Sequence, residues 1–247
     1  MKKKVNWWNT SFGPDEKNNL LRAFKNKSFT SGKENITLEN NLKKLFKSKY
    51  CILCNSGTSA LIMSLLALDI KPGDEVIVPN FTWIATANAA ALIGAKIKLV
   101  DSHKDNPVLD EKRILKLISS KTKAIITVNF HGRSCEYKKL NLISKKYKIP
   151  IIEDNCKGIG GFYNKKNLGT FGIMGCHSLG MISLLPVGFG GFIVTNNKLL
   201  EKKLKLIRDN GVDRSKNDEK LSYLGANFKI SDLLVSLANA QIKKIKI

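Results

Sequence analysis

Arginine, cysteine and histidine are all scarce in this chain. Of the 42 basic residues among 247, only Arg22, Arg113, Arg133, Arg208 and Arg214 are arginine, so lysine carries nearly all of the formal net charge of +22. Surfaces that read nucleic-acid bases favour arginine with interleaved aromatics. Here the lysines are scattered over helical stretches such as 198–205 and 243–246, as on solvated faces, and no nucleic-acid partner is expected. The five cysteines (Cys51, Cys54, Cys135, Cys156 and Cys176) are odd in number, which argues against a disulfide framework and suits a reducing compartment. Cys51 and Cys54 form a lone C-x-x-C inside an apolar run. With no second pair at ligand spacing, zinc is not expected and buried thiols are. His103, His131 and His177 are far apart in sequence and no metal motif links them. No apolar run reaches the roughly 18 residues that span a bilayer, and the first residues, MKKKVNWW, lack the apolar core of a signal peptide. These absences predict a soluble, cytoplasmic protein with no metal and no membrane partner.

What is present is a chain 43% hydrophobic, enough for one sizeable α/β core of roughly 200–250 residues. Short apolar, β-branched runs predict strands at 50–54, 75–78, 97–100, 124–129, 150–153, 175–179 and 191–195. Most are too continuously apolar to have a wet face, so they belong in a sheet covered on both sides. Helical patterns occupy 59–68, 83–92, 110–119, 136–146 and 197–209, with Gly94 placed to stop the second and Asp110 to cap the third. This alternation reads as a mainly parallel, roughly seven-stranded, doubly wound sheet over residues 50–247. The more polar residues 1–49 read as an N-terminal arm with helices at 16–26 and 36–47. In such sheets ligands collect beyond the carboxyl ends of the strands, so those ends are where chemistry is sought.

After strand 50–54, Asn55-Ser56-Gly57-Thr58-Ser59 forms a small-residue turn entering a helix. Free backbone N–H groups and the helix dipole favour a phosphate there, although Ser and Thr cap helices everywhere. After strand 75–78 comes Pro79-Asn80-Phe81-Thr82-Trp83, where a Trp is ordinarily core or interface packing. After strand 150–153 comes Glu153-Asp154-Asn155-Cys156-Lys157. A buried carboxylate costs several kcal/mol unless cations or donors compensate it, so Asp154 is expected to have such a partner. Glu153, on the alternate face, reads as a surface or capping residue.

These pieces, in this order, resemble the DegT-type sugar aminotransferases, which share the fold of the aspartate-aminotransferase class. The resemblance runs from about Trp7 to Gln241. It lies in Thr30-Ser31-Gly32, Asn55 to Leu61, Lys71 to Val76, Pro79 to Asn88, Glu153-Asp154, Gly169-Thr170-Phe171-Gly172, Gly190-Gly191-Phe192, Asn210-Gly211 and Asn227-Phe228-Lys229. It implies a pyridoxal 5'-phosphate (PLP) or pyridoxamine 5'-phosphate (PMP) cofactor. Gly57, Thr58 and Ser178 would bind its phosphate, Trp83 would stack on its ring and Asp154 would pair with the ring nitrogen. Asn227 would reach the phosphate of a neighbouring subunit, which implies a homodimer. The implied substrates are a nucleotide-linked keto sugar, whose negative charge suits a basic protein, and an amino-acid donor such as glutamate.

Three departures from the family pattern stand out. The segment that carries Ser, four residues and Lys in family members is Ser178-Leu179-Gly180-Met181-Ile182-Ser183 here, so Ser183 occupies the lysine site. A serine hydroxyl forms no stable imine with the cofactor aldehyde and is a poor base. Proton transfer by a placed side chain contributes about 10²–10⁴-fold in rate, so ordinary transamination should be severely impaired and the cofactor non-covalently held. A related branch carries His at this site, keeps PMP unanchored and dehydrates a sugar; His177 lies on the opposite strand face from Ser178 and does not fill that role. Second, Lys157 replaces a Gln or His beside the cofactor's phenolic oxygen. It is a candidate for a relocated amine that forms the imine or stabilises the phenolate, the alternative being a drifted lysine turned to solvent. Third, family chains continue into a small C-terminal domain, whereas this sequence stops at Ile247, within a helix predicted to begin near Ser231. The sequence thus presents an aminotransferase homologue of doubtful activity, with a PMP-dependent keto-sugar dehydratase or a catalytically silent subunit as alternatives.

Overall fold

A computed structural model of the chain describes residues 9–27, 29–213 and 220–245. Trp7, where the resemblance begins, lies outside them, as do Arg214 and the last two residues. In chain order the helices are α1 (Pro14–Lys25), α2 (Lys33–Phe46), α3 (Gly57–Ala67), α4 (Ala85–Leu92), α5 (Glu111–Ile114), α6 (Tyr137–Tyr147), α7 (Lys198–Arg208) and α8 (Asp232–Gln241). The strands are β1 (Tyr50–Cys54), β2 (Glu75–Pro79), β3 (Lys96–Val100), β4 (Thr122–Val128), β5 (Ile151–Asp154), β6 (Phe162–Tyr163), β7 (Lys166–Asn167), β8 (Met174–Ser178), β9 (Gly191–Thr195), β10 (Val212–Asp213) and β11 (Lys220–Leu221). Seven of them form the expected sheet, in the order β1-β9-β8-β5-β4-β2-β3, while β6-β7 and β10-β11 are short separate hairpins.

Strand direction decides where the site falls. The pairs β2-β3, β2-β4, β4-β5 and β5-β8 are parallel. Strand β9 runs antiparallel to both β8 and β1. Two reversals restore the direction, so β1 points the same way as β8 and only β9 is inverted. The carboxyl ends of β1, β2, β4, β5 and β8 therefore share one rim with the amino end of β9.

The two-residue alternation of each strand feeds both faces. Ile52 and Cys54 of β1 join Val76, Ala124, Ile152, Cys176 and Ile193 under α3, α4 and α7. Cys51 and Leu53 turn the other way and meet Phe192, Val194, α2 and α8, while Ile77, Ile125 and Ile151 pack with Tyr137 and Leu140 of α6. Each fully buried aliphatic side chain contributes about 1.5–3 kcal/mol. Cys51 and Cys54 are buried free thiols, and burial pushes Cys54 up to about 12. Strand β3 departs from the all-apolar pattern because it is an edge, with Lys96 and Leu99 exposed. The helix expected at 110–119 is only four residues long; Asp110 does cap it, accepting from Lys112 N at 3.0 Å. Gly94 stops α4 with φ of 78°. Helix α1 packs on α8, and α8 packs on α2, so the N-terminal helices belong to the same body as the sheet.

Glu153 is not a surface or capping residue. It is 0% exposed, and its carboxylate accepts four hydrogen bonds: from the backbone N–H of Phe171 (2.5 Å) and Gly172 (2.7 Å) on Oε1, and from Gly169 N–H (2.7 Å) and Asn129 Nδ2 (3.1 Å) on Oε2. Burial raises its pKa above the usual carboxylate range and the donors oppose that shift. The Gly169-Thr170-Phe171-Gly172 motif is thus a loop wrapped around a buried acid. At Gly172 a β-carbon would lie 2.4 Å from the carbonyl oxygen of Ile151, so the loop approaches β5 as closely as only glycine allows. Replacing Glu153 by Ala strands three backbone donors at about 1–3 kcal/mol each. Glu153→Ala is expected to lower stability in urea denaturation by at least about 3 kcal/mol; a midpoint equal to that of the wild type would refute the role.

Candidate active site

The shared rim holds a cavity of about 490 Å³, within the range of small-molecule sites. Gly57, Thr58, Trp83, Asp154, Lys157 and Ser178, singled out from separate parts of the sequence, all line it. Two other candidates do not. Ser183 turns its hydroxyl back to donate to the carbonyl of Ser178 at 2.5 Å. Asn227 is exposed and tied through its backbone carbonyl to Asn55 Nδ2 at 3.5 Å.

One wall is the start of α3. Ser56 caps the helix, its Oγ accepting from Ser59 N–H at 2.9 Å, and Ala60 N–H makes the first bond of the ladder, to Ser56 O at 3.0 Å. The N–H groups of Gly57 and Thr58 remain for a ligand at the positive end of the helix. A β-carbon at Gly57 would lie 2.7 Å from Cys156 Sγ and 3.0 Å from Ser178 Cβ, so only glycine lets the turn come down onto β8. Ser178 is thereby set beside the helix start, its Oγ accepting from Gly180 N–H at 3.1 Å.

A second wall is the end of β5. Asp154 is 7% exposed, and each carboxylate oxygen accepts one hydrogen bond: Oδ2 from Thr86 Oγ1 at 2.7 Å and Oδ1 from Cys156 N–H at 3.1 Å. These are the donors its burial required. Thr86, in turn 2.8 Å from Thr82 Oγ1, was missed in the sequence; the signal was the Thr82/Thr86 spacing of four at a helix entrance. Burial raises the pKa of the Cys156 thiol and the adjacent Asp154 raises it further, which keeps Cys156 un-ionised. Trp83 is 77% exposed and stands at the mouth with Phe189, instead of in the core.

His177 faces away from Ser178, as the strand alternation requires. It is buried and stacked on Phe192, with ring centroids 4.3 Å apart and planes within 2°. His103 does have acidic neighbours: Asp110 and Glu111 lie close to it, a grouping its sequence spacing did not reveal. Lys139 already neutralises Glu111 there at 2.8 Å.

The residues fit a phosphorylated aromatic cofactor. Free helix-start N–H groups and two hydroxyls suit a phosphate, an indole suits a flat ring, and a buried carboxylate with spare lone pairs suits a ring N–H. A seven-stranded, mainly parallel sheet with this arrangement at its rim defines the fold of the aspartate-aminotransferase class. The chain belongs to the DegT/DnrJ/EryC1/StrS aminotransferase family, which it matches over residues 11–247. It is 33% identical over 197 residues to GDP-perosamine synthase of Caulobacter vibrioides, an alignment covering 80% of this chain and 53% of that protein. PseC of Helicobacter pylori, an aminotransferase of pseudaminic acid biosynthesis, superposes with a TM-score of 0.92 at 27% identity, over 98% of this chain and 66% of its own. GDP-4-keto-6-deoxy-D-mannose-3-dehydratase of E. coli with bound hydrated PLP superposes at 0.88 and 27% identity, covering 96% and 66%. The chain thus spans about half to two-thirds of the length of these relatives. No helix among the described residues is long and apolar enough to cross a membrane.

Burial holds the His177 imidazole at about 3, against an ordinary 6.5. The fold favours the neutral ring, so the unfolded chain binds more protons between those values. This contribution to stability is complete above pH 6.5 and is lost as pH falls toward 3. His177→Phe, which can stack with Phe46 and Phe192, is expected to flatten the acid side of a plot of urea midpoint against pH. Parallel curves for the two proteins would refute it.

Proposed function

We propose that the chain binds PLP or PMP at this rim and serves amino-group chemistry on a nucleotide-linked keto sugar, with an amino acid such as glutamate as the partner substrate, as a cytoplasmic homodimer. The observation that carries the reading is the convergence of Gly57, Thr58 and Ser178, Trp83 and Asp154 on one cavity. When bound, the cofactor supplies an electron-poor ring that accepts negative charge developing beside the amine nitrogen. The chain's own residues do the rest. The N–H groups of Gly57 and Thr58, with the hydroxyls of Thr58 and Ser178, hold the phosphate. Asp154, oriented by Thr86 and by Cys156 N–H, accepts the ring N–H and keeps the ring cationic. Trp83 covers the ring and sheds water from it.

The dimer is supported by apolar side chains that line the cavity and are exposed, namely Trp83, Met181, Ile182 and Phe189. Asn227, outside its own chain's cavity, is read as serving the partner's phosphate. The dehydratase reading is favoured by one observation: Ser183 offers no amine, and its hydroxyl is committed to Ser178 O, which suits an unanchored PMP. Water loss from a keto sugar without gain of nitrogen would select that reading over amino transfer.

Equilibrium dialysis against PMP tests the site itself. One PMP per chain is expected, and Asp154→Asn should weaken binding about tenfold to a hundredfold, the worth of a hydrogen bond to a charged group. A wild-type protein that takes up no PMP, or a variant that binds it unchanged, would overturn the assignment and leave the silent subunit.

A further inference from the structure

We infer that Lys157 is the amine through which this chain bonds covalently to the aldehyde form of its cofactor, an inference that rests on the functional reading above. Three observations converge on it. Lys157 is the one amine among the side chains that line the cavity, and Asp154 is the one carboxylate. Lys157 is also uncommitted, with no ion pair or hydrogen bond through its side chain among the described residues. The position that would carry the lysine holds Ser183, whose hydroxyl is spent on Ser178 O and which contributes nothing to the lining.

A catalytic amine must be held by something, and here it is the backbone beneath it. Asn155, two residues earlier, is fully buried. Its N–H donates to Cys176 O at 2.8 Å, Nδ2 donates to Leu168 O at 3.0 Å and Oδ1 accepts from Asn129 Nδ2 at 2.9 Å. Gly158 N–H then closes the turn onto Asn155 O at 3.0 Å. Cys156 points down against Gly57, and Lys157 leaves the turn on the solvent side of the cavity, where its four-carbon stem provides reach and water can take its proton. This exposed position is the one expected of a drifted surface lysine as well, and the difference is that here it borders the cradle.

The chemistry balances without a redox partner. The ammonium releases a proton to water, and the Nζ lone pair attacks the aldehyde carbon to form the C–N bond. The former carbonyl oxygen, after taking up protons, leaves as water while the nitrogen lone pair forms the second C–N bond. Amine and aldehyde become imine and water. PMP, which carries an amine in place of the aldehyde, cannot undergo this step and binds through the cradle alone.

That difference supplies the test. The full chain is incubated with an equimolar amount of PLP, reduced with sodium borohydride, digested and analysed by mass spectrometry. One phosphopyridoxyl group is expected on the peptide bearing Lys157, blocked by excess PMP. It should be absent from Lys157→Arg, which should keep PMP affinity within about threefold of wild type by dialysis. If PMP binds but the label sits on other lysines or resists PMP, this inference falls while the cofactor reading stands. If PMP does not bind at all, the cofactor reading falls and this inference with it.

Discussion

Two consecutive carboxylates at the end of β5 organise this molecule, because the pleat of a strand sends neighbours to opposite faces. Glu153 goes into the interior, where an ionised oxygen pair has no water to turn to. The chain meets that demand by curling residues 169–172 around it and presenting three backbone N–H groups. Asp154 goes to the rim, where Thr86 and Cys156 N–H each supply a hydrogen bond to one of its oxygens. One acid is satisfied completely and becomes architecture. Its neighbour is satisfied halfway and stays available for a ligand.

The loop that Glu153 grips leads directly into β8, so the same carboxylate sets the level at which Ser178 arrives beside Gly57. Strand direction does the remaining assembly. Because β9 alone is inverted, the turn after β1, the entrance to α4, the end of β5 and the end of β8 reach one edge although they lie far apart in the chain, and Gly190, just before β9, joins them. The cavity there is built from helix-start N–H groups, hydroxyls, an indole and an acid, a set that a phosphorylated aromatic ring can satisfy at once. The fit rests on these groups being positioned before any ligand arrives, which keeps the ordering cost of binding low.

Ser183, beyond the end of β8, turns its hydroxyl back to the carbonyl of Ser178, while Lys157, the single amine on the cavity wall, stands three residues beyond Asp154. The rigid turn at Asn155 and the exposure of Lys157 pull in different directions: the first fixes the backbone, the second leaves the side chain its rotamers. Gly57, Thr58, Ser178 and Asp154 reach the cavity from other elements or other hydrogen bonds, so under the proposed reading holding a cofactor and anchoring it would be separable.

Much of this was legible in the residue order. Continuously apolar β-branched runs announced the strands, since such runs are stable only when covered on both faces, and a small-residue turn announced the start of α3 at the cavity wall. The edge position of β3 was not legible, because Lys96 looks the same beside a strand or beyond one. The role of Glu153 was not legible either: alternation tells which face a side chain takes but not what will cover that face. Thr86 stayed hidden because a threonine becomes a donor to an acid only when an α-helix from one crossover docks against a strand from another. The sequence by itself determined the elements, their order and the chemical types at the strand ends, which depend on local pattern. Only the tertiary structure decided which acid is buried for support, which is left half-satisfied for a ligand, and which amine borders the cavity, because those outcomes depend on what distant segments place within about 3 Å of each atom.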